Sequence, residues 1–220
     1  MATINMRKCV IVGAGTYGQV YAKYLSKEYD ILGYVDDNLE LLNQEVHGHL
    51  VLGKVEVLFQ PERFDFANTN VFVPIGDNLI RTRLLEKIRG FGYRTPSFIH
   101  PTVIIDSSVK IDEPVYILPG TNIMPYTTIS KDVMISMGVN IAHHTFIKEG
   151  CFFSQGTNIG ASIVIERLAY IGIAATLMTG VKRIGQNSLV GAGAVVIRDV
   201  PDNVVVAGVP AKFLRNKENV

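Results

Sequence analysis

A repeat of six residues dominates the second half of the sequence. From Ile105 onward every sixth residue is aliphatic or aromatic, and no polar residue interrupts the series as far as Leu177. After one inserted residue the series resumes, so that its members are Ile105, Ile111, Ile117, Ile123, Ile129, Ile135, Ile141, Ile147, Phe153, Ile159, Ile165, Ile171, Leu177, Ile184, Val190 and Val196. An α-helix repeats every 3.6 residues and a strand every two, so neither element accounts for this period.

Units of six residues predict a solenoid instead. Each unit would be a short strand followed by a tight turn, and three units would close one triangular coil. The aliphatic residue would point to the axis and stack on its equivalent eighteen residues later, about 4.8 Å further along the axis. We therefore expect a parallel β-helix over residues 99–212, followed by a C-terminal tail at 213–220.

Residues 1–98 show a different pattern, in which strand and helix signals alternate. Such alternation is typical of an α/β domain with a parallel sheet. A glycine motif, Gly13-x-Gly15-x-x-Gly18, lies between the first expected strand and helix, where nucleotide-binding domains of the Rossmann type hold a pyrophosphate. Fewer than 100 residues precede the repeat, enough for one mononucleotide-binding half. We expect strands at 8–12, 31–35 and 70–75, and helices at 17–27 and 78–89.

Charge and composition exclude several classes of protein. The formal net charge of the 220 residues is +1, without the basic surplus that a nucleic-acid-binding protein uses against phosphates. No apolar stretch approaches the ~20 residues that span a bilayer, and the N-terminus lacks the pattern of a signal peptide. The two cysteines, Cys9 and Cys151, form neither a disulfide framework nor a metal-binding spacing. We expect a cytoplasmic protein that binds no metal, nucleic acid or membrane.

Histidines are the candidate proton-transfer groups. His143 and His144 follow the core residue Ile141, and imidazole is the side chain that titrates nearest neutral pH. Adjacent residues of an extended chain face opposite ways, so we do not expect both imidazoles to enter one site. His47-Gly48-His49 has the same-face spacing of a metal site, but two ligands in a loop make a weak one. His100 precedes a proline at the domain junction and is interpreted as a linker residue.

The combination of the two halves carries a resemblance to a known family. The hexapeptide run ends in Ala207-Gly208-Val209-Pro210-Ala211-Lys212, and the Gly13–Gly18 motif precedes it. Nearly the whole chain resembles the left-handed β-helix acyltransferases that use acetyl-coenzyme A. It is most similar to the branch that acetylates nucleotide-linked amino sugars, including the bacillosamine-pathway and perosamine N-acetyltransferases. The left hand comes from this resemblance alone, because crossover connections are generally right-handed.

The resemblance implies roles for residues of the solenoid. His143 matches the catalytic histidine of the family. His144 stands where relatives usually carry Glu or Asp; as the second expected catalytic residue it would orient His143 through a hydrogen bond but supply no negative charge. Phe152 stands where relatives often have a histidine that contacts the coenzyme. The pantetheine arm would lie along backbone groups near Ile173 and Ala192, and the backbone near Ala161 would supply an oxyanion donor. The tail Gly208–Lys212 would lie near the adenine.

The resemblance also implies roles for the N-terminal domain and for the assembly. The domain would hold the nucleotide end of a nucleotide sugar through the motif that begins at Gly13. The expected contacts are Gly15, Thr16 and Tyr17 beside the phosphates, Asp36 and Asp37 on the base or ribose, and Gly76 against the base. The family pattern further implies a homotrimer with active sites between adjacent subunits.

The expected function is an acetyl-coenzyme A-dependent N-acetyltransferase. Its acceptor would be the amine of a 4-amino-4,6-dideoxy sugar linked to UDP, dTDP or GDP, and His143 would be the general base in a direct transfer. An alternative is O-acetylation of a sugar hydroxyl, as in sialic acid. A second alternative is a non-catalytic nucleotide-binding scaffold, and a third is a nicotinamide-dependent enzyme that uses the glycine motif for a dinucleotide.

Overall fold

The chain folds into two compact units, Met1–Pro96 and Ser97–Val220. The computed structural model describes residues 6–60 and 62–217. The division falls two residues before the expected boundary between 98 and 99. Residues 1–5 of the expected first domain and 218–220 of the expected tail lie outside the described residues. Within the described ranges, no helix is both long and apolar enough to cross a bilayer.

The N-terminal unit is an α/β domain built on three parallel strands. In chain order it contains β1 (Arg7–Val12), α1 (Thr16–Leu25), β2 (Tyr29–Val35), β3 (Glu45–Val46), β4 (His49–Leu50), β5 (Thr69–Phe72) and α2 (Asn78–Phe91), with 3-10 turns at Leu39–Leu41 and Val55–Phe59. The parallel strands have the order β2-β1-β5, and β3 and β4 form a hairpin that the sequence did not predict. The predicted α/β fold is confirmed, and β5 ends three residues before the expected end.

Local sequence explains the elements that surround the glycine motif. Val10 and Val12 of β1 and Val71 of β5 are buried in one core with Leu85 of α2. The carboxylate of Asp77 accepts a hydrogen bond of 2.8 Å from the backbone N–H of Ile80 and so caps α2. The carboxyl ends of β1, β2 and β5 therefore meet at one edge, where the expected nucleotide-binding residues lie.

The C-terminal unit is a parallel β-helix. Its strands are β6 (Phe98–Ile99), β7 (Ile104–Ile105), β8 (Lys110–Ile111), β9 (Val115–Ile117), β10 (Asn122–Ile123), β11 (Thr128–Ile129), β12 (Val133–Ile135), β13 (Asn140–Ile141), β14 (Phe146–Ile147), β15 (Phe152–Phe153), β16 (Asn158–Ile159), β17 (Val164–Ile165), β18 (Tyr170–Ile171), β19 (Thr176–Leu177), β20 (Arg183–Ile184), β21 (Leu189–Val190), β22 (Val195–Val196), β23 (Val204–Ala207) and β24 (Lys212–Asn216). Within the described residues they form three sheets; as far as β22 every third strand joins the same sheet, and β23 and β24 extend the sheet that contains β21.

The predicted interior ladder is present and in register. Ile123 pairs with Ile141, and Ile141 pairs with Ile159, eighteen residues apart in each case. From Ile117 to Val196 all members of the series are buried, while Ile105 and Ile111 of the first coil are only partly covered. The stacked aliphatic side chains form one continuous core, which confirms the six-residue interpretation of the sequence.

The inserted residue forms a local bulge between β19 and β20. Thr179 and Val181 form an isolated bridge there, and the backbone of Thr179 packs directly on Gly160 of the preceding coil. A Cβ atom on Gly160 would overlap the backbone nitrogen of Thr179, so glycine is required at this position. At the C-terminus β24 pairs antiparallel with β23, so residues 213–216 of the expected tail belong to a strand.

Candidate active site

Two adjacent histidines occupy a corner of the solenoid, in the turn between β13 and β14. Both His143 and His144 are exposed, and His144 has a φ of 57°, so the chain turns there. The N–H of His144 donates to the carbonyl of Pro125 on the preceding coil, at 3.1 Å. The carbonyl of His143 accepts from Ser162 on the following coil, at 3.0 Å. The backbone of both histidines is therefore held by the neighbouring coils.

The two imidazoles form a hydrogen-bonded pair. The Nδ1 atoms of His143 and His144 are 3.0 Å apart, and the rings stand at 90° to each other with centroids 5.1 Å apart. The expectation that adjacent side chains face opposite ways is wrong at this position, because it assumed an extended chain. The left-handed backbone of His144 brings its ring back to the side of His143.

The contact between the Nδ1 atoms restricts the tautomers of the pair. A hydrogen bond requires one Nδ1 to carry the proton and the other to accept it. When His143 Nδ1–H donates to His144, the proton is absent from Nε2 of His143, and this nitrogen has a free lone pair. Within the described residues no carboxylate is hydrogen-bonded to either ring. The imidazole of His144 is therefore the hydrogen-bonding partner of His143 at this corner.

Two of the expected coenzyme positions expose unused backbone donors. Ile173 and Ala192 lie in exposed turns of successive coils, and the side chain of Ile173 is 48% exposed. Across residues 6–60 and 62–217, the backbone N–H groups of Ile173 and Ala192 donate no hydrogen bond. By contrast, the N–H of Ala161, the expected oxyanion donor, donates to Oγ1 of Thr179 at 3.2 Å. Ile173 and Ala192 therefore retain free donors, whereas Ala161 does not.

Phe152, expected beside the coenzyme, is buried in the structure. Its side chain is 1% exposed and stacks face to face on Tyr170, with centroids 4.9 Å apart and an interplanar angle of 8°. Phe152 and Tyr170 are register partners on β15 and β18, so their rings stack on the outward side of the sheet. Phe152 therefore exposes almost no surface for a coenzyme contact. Its aromatic ring packs the sheet instead.

The glycine motif forms a tight loop between β1 and α1. Gly13 has a φ of 94°, and a Cβ atom on Gly18 would overlap the carbonyl oxygen of Gly13. Gly15 has nothing within 4 Å of its Cβ position, so the space above it is open. The neighbouring Thr16 is exposed and begins α1. Gly18 thus serves close packing of the loop, whereas Gly15 leaves room for a ligand.

The acidic residues after β2 hold backbone groups of the chain. The carboxylate of Asp36 accepts from the N–H of Ala14 at 2.7 Å and from that of Asn38 at 2.8 Å. The carboxylate of Asp37 accepts from the N–H of Val55 at 2.9 Å. Asp36 therefore fixes the shape of the glycine loop, a role that the sequence did not predict. Contacts of both aspartates to a base or ribose stay a prediction.

The loops after β1 and β5 lie side by side. The Cβ position of Gly76 is 4.0 Å from the ring of Tyr17, and that of Gly13 is 3.6 Å from the side chain of Ile75. Gly13, Tyr17 and Gly76 are therefore brought together at the carboxyl edge of the sheet. Asp36 joins this group through its hydrogen bond to Ala14.

Sequence analysis missed two side chains that support these loops. Arg81 of α2 is fully buried and donates to the carbonyl of Ile75 at 2.7 Å and to Oδ1 of Asn78 at 2.9 Å. Gln19 donates from its side-chain amide to the carbonyl of Ala14 at 2.9 Å. An arginine or glutamine within a helical pattern is usually at the surface, so no local signal distinguished these two.

The other three histidines have surroundings of their own. His47 and His49 line a cavity of about 810 Å³ beside α1, together with Lys23 and Ser26. No group of three or more metal-ligating side chains occurs within the described residues. His100 contacts the hydroxyl of Thr102 through Nδ1, at 2.9 Å.

Comparisons with known proteins match each half of the chain and their combination. Residues 8–88 match the PglD N-terminal domain model. PerB from Caulobacter crescentus, solved in complex with CoA and GDP-perosamine, is 30% identical, with a TM-score of 0.85 over 94% of this chain and 97% of that one. The acetyltransferase domain of PglB from Neisseria gonorrhoeae is 26% identical, with a TM-score of 0.86 over 94% of this chain and 100% of that one.

A curated relative matches a shorter segment. The 2,3,4,5-tetrahydropyridine-2,6-dicarboxylate N-acetyltransferase of Enterococcus faecalis is 49% identical over 55 residues, which are 25% of this chain and 23% of that enzyme. The match thus spans about a quarter of the length of that relative. The match to PerB, by contrast, covers both units. The chain belongs to the sugar N-acetyltransferase family that joins an N-terminal Rossmann-like domain to a left-handed β-helix of hexapeptide repeats.

Proposed function

We propose that this chain transfers the acetyl group of acetyl-coenzyme A to the amine of a nucleotide-linked 4-amino-4,6-dideoxy sugar. The nucleotide would be UDP, dTDP or GDP. The observation that carries the proposal is the exposed pair of His143 and His144, with 3.0 Å between their Nδ1 atoms. Family membership supports it, because PerB was solved with CoA and an amino sugar linked to GDP.

His143 would act as the general base. The amine nitrogen attacks the thioester carbon, a C–N bond forms, and the carbonyl electron pair moves to oxygen. Nε2 of His143 accepts the amine proton while Nδ1–H of the same ring donates to His144. When the intermediate collapses the C–S bond breaks, and the thiolate takes up the proton to give coenzyme A and the acetamide.

The neutral partner of His143 favours an amine as the nucleophile. A carboxylate next to a histidine supplies negative charge that stabilises its protonated form, and a neutral imidazole does not. A hydroxyl is a poorer nucleophile than an amine and depends more on a strong base. O-acetylation therefore fits this pair less well than N-acetylation.

The cysteines support direct transfer without a covalent enzyme intermediate. Cys9 and Cys151 are both buried. Burial, followed by the charge of Asp30, raises the pKa of Cys9 to about 12, so its nucleophilic thiolate is scarce near neutral pH. Neither cysteine is placed to accept an acetyl group from a ligand at the surface.

The free backbone donors of the solenoid would bind acetyl-coenzyme A. The pantetheine arm carries amide carbonyls, and the unused N–H groups of Ile173 and Ala192 are suitable donors to them. Ala174 and Gly193 in the same turns are small and allow the close approach of an extended arm. Phe152 is left out of this part of the proposal.

The carboxyl edge of the N-terminal sheet would bind the nucleotide. The open space above Gly15 and the N-terminus of α1 suit a phosphate group, which interacts favourably with the helix dipole. Thr16 and Tyr17 would lie beside the phosphates, and Gly76 would allow the base to approach. Asp36 and Asp37 would use their remaining lone pairs for the base or ribose.

A homotrimer is part of the proposal. Large apolar side chains are exposed in turns of the solenoid, at Met124, Met137, Ile173, Met178 and Ile197. These residues follow strands of two of the three sheets, and exposed apolar patches are typical of protein interfaces. Active sites between adjacent subunits would cover this surface. Light scattering of the purified chain measures the assembly directly.

The test is acetyl transfer to defined acceptors. Purified protein would be given acetyl-coenzyme A with UDP-, dTDP- or GDP-linked 4-amino sugars, and thiol release and the acetylated sugar would be measured. We expect release only with an amino acceptor, and a kcat about 10²- to 10⁴-fold lower for His143→Ala. His100→Ala, which removes a histidine from another coil, is the matched control and should leave kcat unchanged.

Three outcomes would contradict the proposal. Thiol release with a hydroxyl acceptor alone would favour O-acetylation. Absence of coenzyme binding, with no effect of His143→Ala, would favour a nucleotide-binding scaffold. Saturable binding of NADH would favour the nicotinamide-dependent alternative.

A further inference from the structure

Three hydroxyl side chains of the solenoid accept a backbone N–H from a residue eighteen positions away. Thr102 accepts from Gly120 at 3.1 Å, Ser108 from Tyr126 at 2.9 Å and Thr179 from Ala161 at 3.2 Å. Thr102 and Ser108 thus cap a turn of the following coil, whereas Thr179 caps a turn of the preceding one. A hydroxyl that accepts in this way still has its own proton to donate.

Thr179 differs from Thr102 and Ser108 in whether another group contacts its hydroxyl proton. The hydroxyl of Thr102 contacts Nδ1 of His100 at 2.9 Å, and that of Ser108 donates to Oδ1 of Asp106 at 2.6 Å. Thr179 is exposed, and within residues 6–60 and 62–217 no atom accepts its hydroxyl proton. Its hydroxyl is therefore a polarised donor that faces outward.

Thr179 lies at the same corner of the solenoid as the imidazole pair. His143 accepts a backbone hydrogen bond from Ser162, and Ala161, the residue before Ser162, donates to Thr179. The backbone of Thr179 therefore lies two coil steps from that of His143, about 10 Å at the usual inter-strand spacing, while its hydroxyl reaches back to Ala161, one step of about 5 Å from His143. An attacking amine, a thioester carbon and an oxyanion, with a hydrogen bond of about 3 Å at each end, span about 8 Å, which lies between these two separations.

We propose that Thr179 is a catalytic residue whose hydroxyl donates a hydrogen bond to the thioester oxyanion. This inference rests on the proposed acetyl transfer. The N–H of Ala161 acts through Thr179, because its hydrogen bond to Oγ1 polarises the hydroxyl. As the amine adds to the thioester carbon, negative charge develops on the carbonyl oxygen and the hydrogen bond from Thr179 strengthens. No proton is transferred at this end of the reaction.

Regular packing of the coils places Thr179 beside Ala161, because the two residues are eighteen positions apart. The backbone of Thr179 packs against Gly160 in the same way as that of Ala192 packs against Gly172. The hydroxyl of Thr179 consequently reaches the N–H of Ala161 from the following coil.

Kinetics of Thr179→Val and Thr179→Ser test the inference. Valine preserves the shape of the side chain and removes the hydroxyl, so we expect kcat to fall about 10²-fold with unchanged KM for both substrates. Serine keeps the hydroxyl, and its kcat should stay close to wild type. Thr102→Val removes an equivalent hydroxyl away from the histidine pair and should leave kcat unchanged. All three variants should keep the wild-type thermal midpoint.

A second measurement needs no sugar acceptor. The infrared carbonyl frequency of bound, ¹³C-labelled acetyl-coenzyme A reports a hydrogen bond to the thioester oxygen. We expect a lower frequency in wild type than in Thr179→Val. Equal frequencies, or a wild-type kcat for Thr179→Val, would overturn the role of Thr179. If no amino sugar is acetylated, the proposed function fails, while the frequency still decides whether Thr179 contacts the thioester.

Discussion

Tyr126 and His144 occupy equivalent corners of successive coils, and their rings are in contact. Both have a positive φ, 62° and 57°, a backbone conformation that bulky residues rarely adopt. The ring centroids are 4.8 Å apart at an angle of 45°. Both side chains are exposed, so little other packing holds the ring of His144 in place. The contact with Tyr126 therefore restricts the orientation of His144 and, through the hydrogen bond between the Nδ1 atoms, that of His143.

Removing the ring of Tyr126 should weaken catalysis by way of His144. An aromatic contact contributes about 0.5–1.5 kcal/mol, so Tyr126→Ala should lower kcat about two- to tenfold at saturating substrates. Tyr126→Phe keeps the ring and should match wild type. A loss of equal size in Tyr126→Phe would show that the hydroxyl, and not the ring contact, supports the site.

Glycines of the β1–α1 loop serve two physical purposes within one element. Gly18 packs against the carbonyl of Gly13, where no side chain fits. Gly15 stands in open space at the beginning of α1. Replacing each glycine by alanine therefore tests two roles of the loop separately: its packing at Gly18 and its proposed contact with phosphate at Gly15.

Alanine at Gly18 should affect the stability of the fold, whereas alanine at Gly15 should affect ligand binding. Gly18→Ala should lower the free energy of unfolding by a few kcal/mol, because its Cβ would displace the carbonyl of Gly13. Gly15→Ala should keep wild-type stability but weaken binding of the nucleotide sugar. Chemical denaturation and calorimetric titration measure the two effects. Wild-type affinity in Gly15→Ala would argue against close approach of the phosphates.

At the scale of the whole molecule, the described residues of each unit form a buried hydrophobic core. One core joins the strands of the N-terminal unit to Leu85 and Ile88 of α2. The other follows the axis of the solenoid and includes Ile141. Since each unit has its own buried core, each is expected to unfold as a cooperative unit of its own.

Matched substitutions in the two cores should shift different unfolding transitions. Ile88→Ala and Ile141→Ala each remove a fully buried side chain and should cost about 2–5 kcal/mol in the affected unit. Denaturation followed by circular dichroism should show one displaced transition in each variant. If both variants displaced a single common transition, the units would unfold together.

Local patterns were sufficient to predict the architecture. In a solenoid each side chain that faces the axis contacts its equivalents in adjacent coils, so the core appears in the sequence as a period. The ladder through Ile123, Ile141 and Ile159 is an example. In the N-terminal unit, strand and helix signals alternate along the chain. This alternation indicated the parallel sheet, because parallel neighbouring strands are joined by helical crossovers. His143 was also identified from the sequence, but only through the resemblance to a family.

The arrangement within the candidate site depended on contacts that no local pattern records. The sequence by itself determined the solenoid, the α/β domain and the position of the histidines. Only the tertiary structure turned His144 toward His143, buried Phe152 against Tyr170 and placed Thr179 on Ala161. Periodicity specifies which side of the chain is buried, whereas a corner of the coil is shaped by backbone dihedrals and by residues eighteen positions away. That difference explains why the core was predictable and the geometry of the site was not.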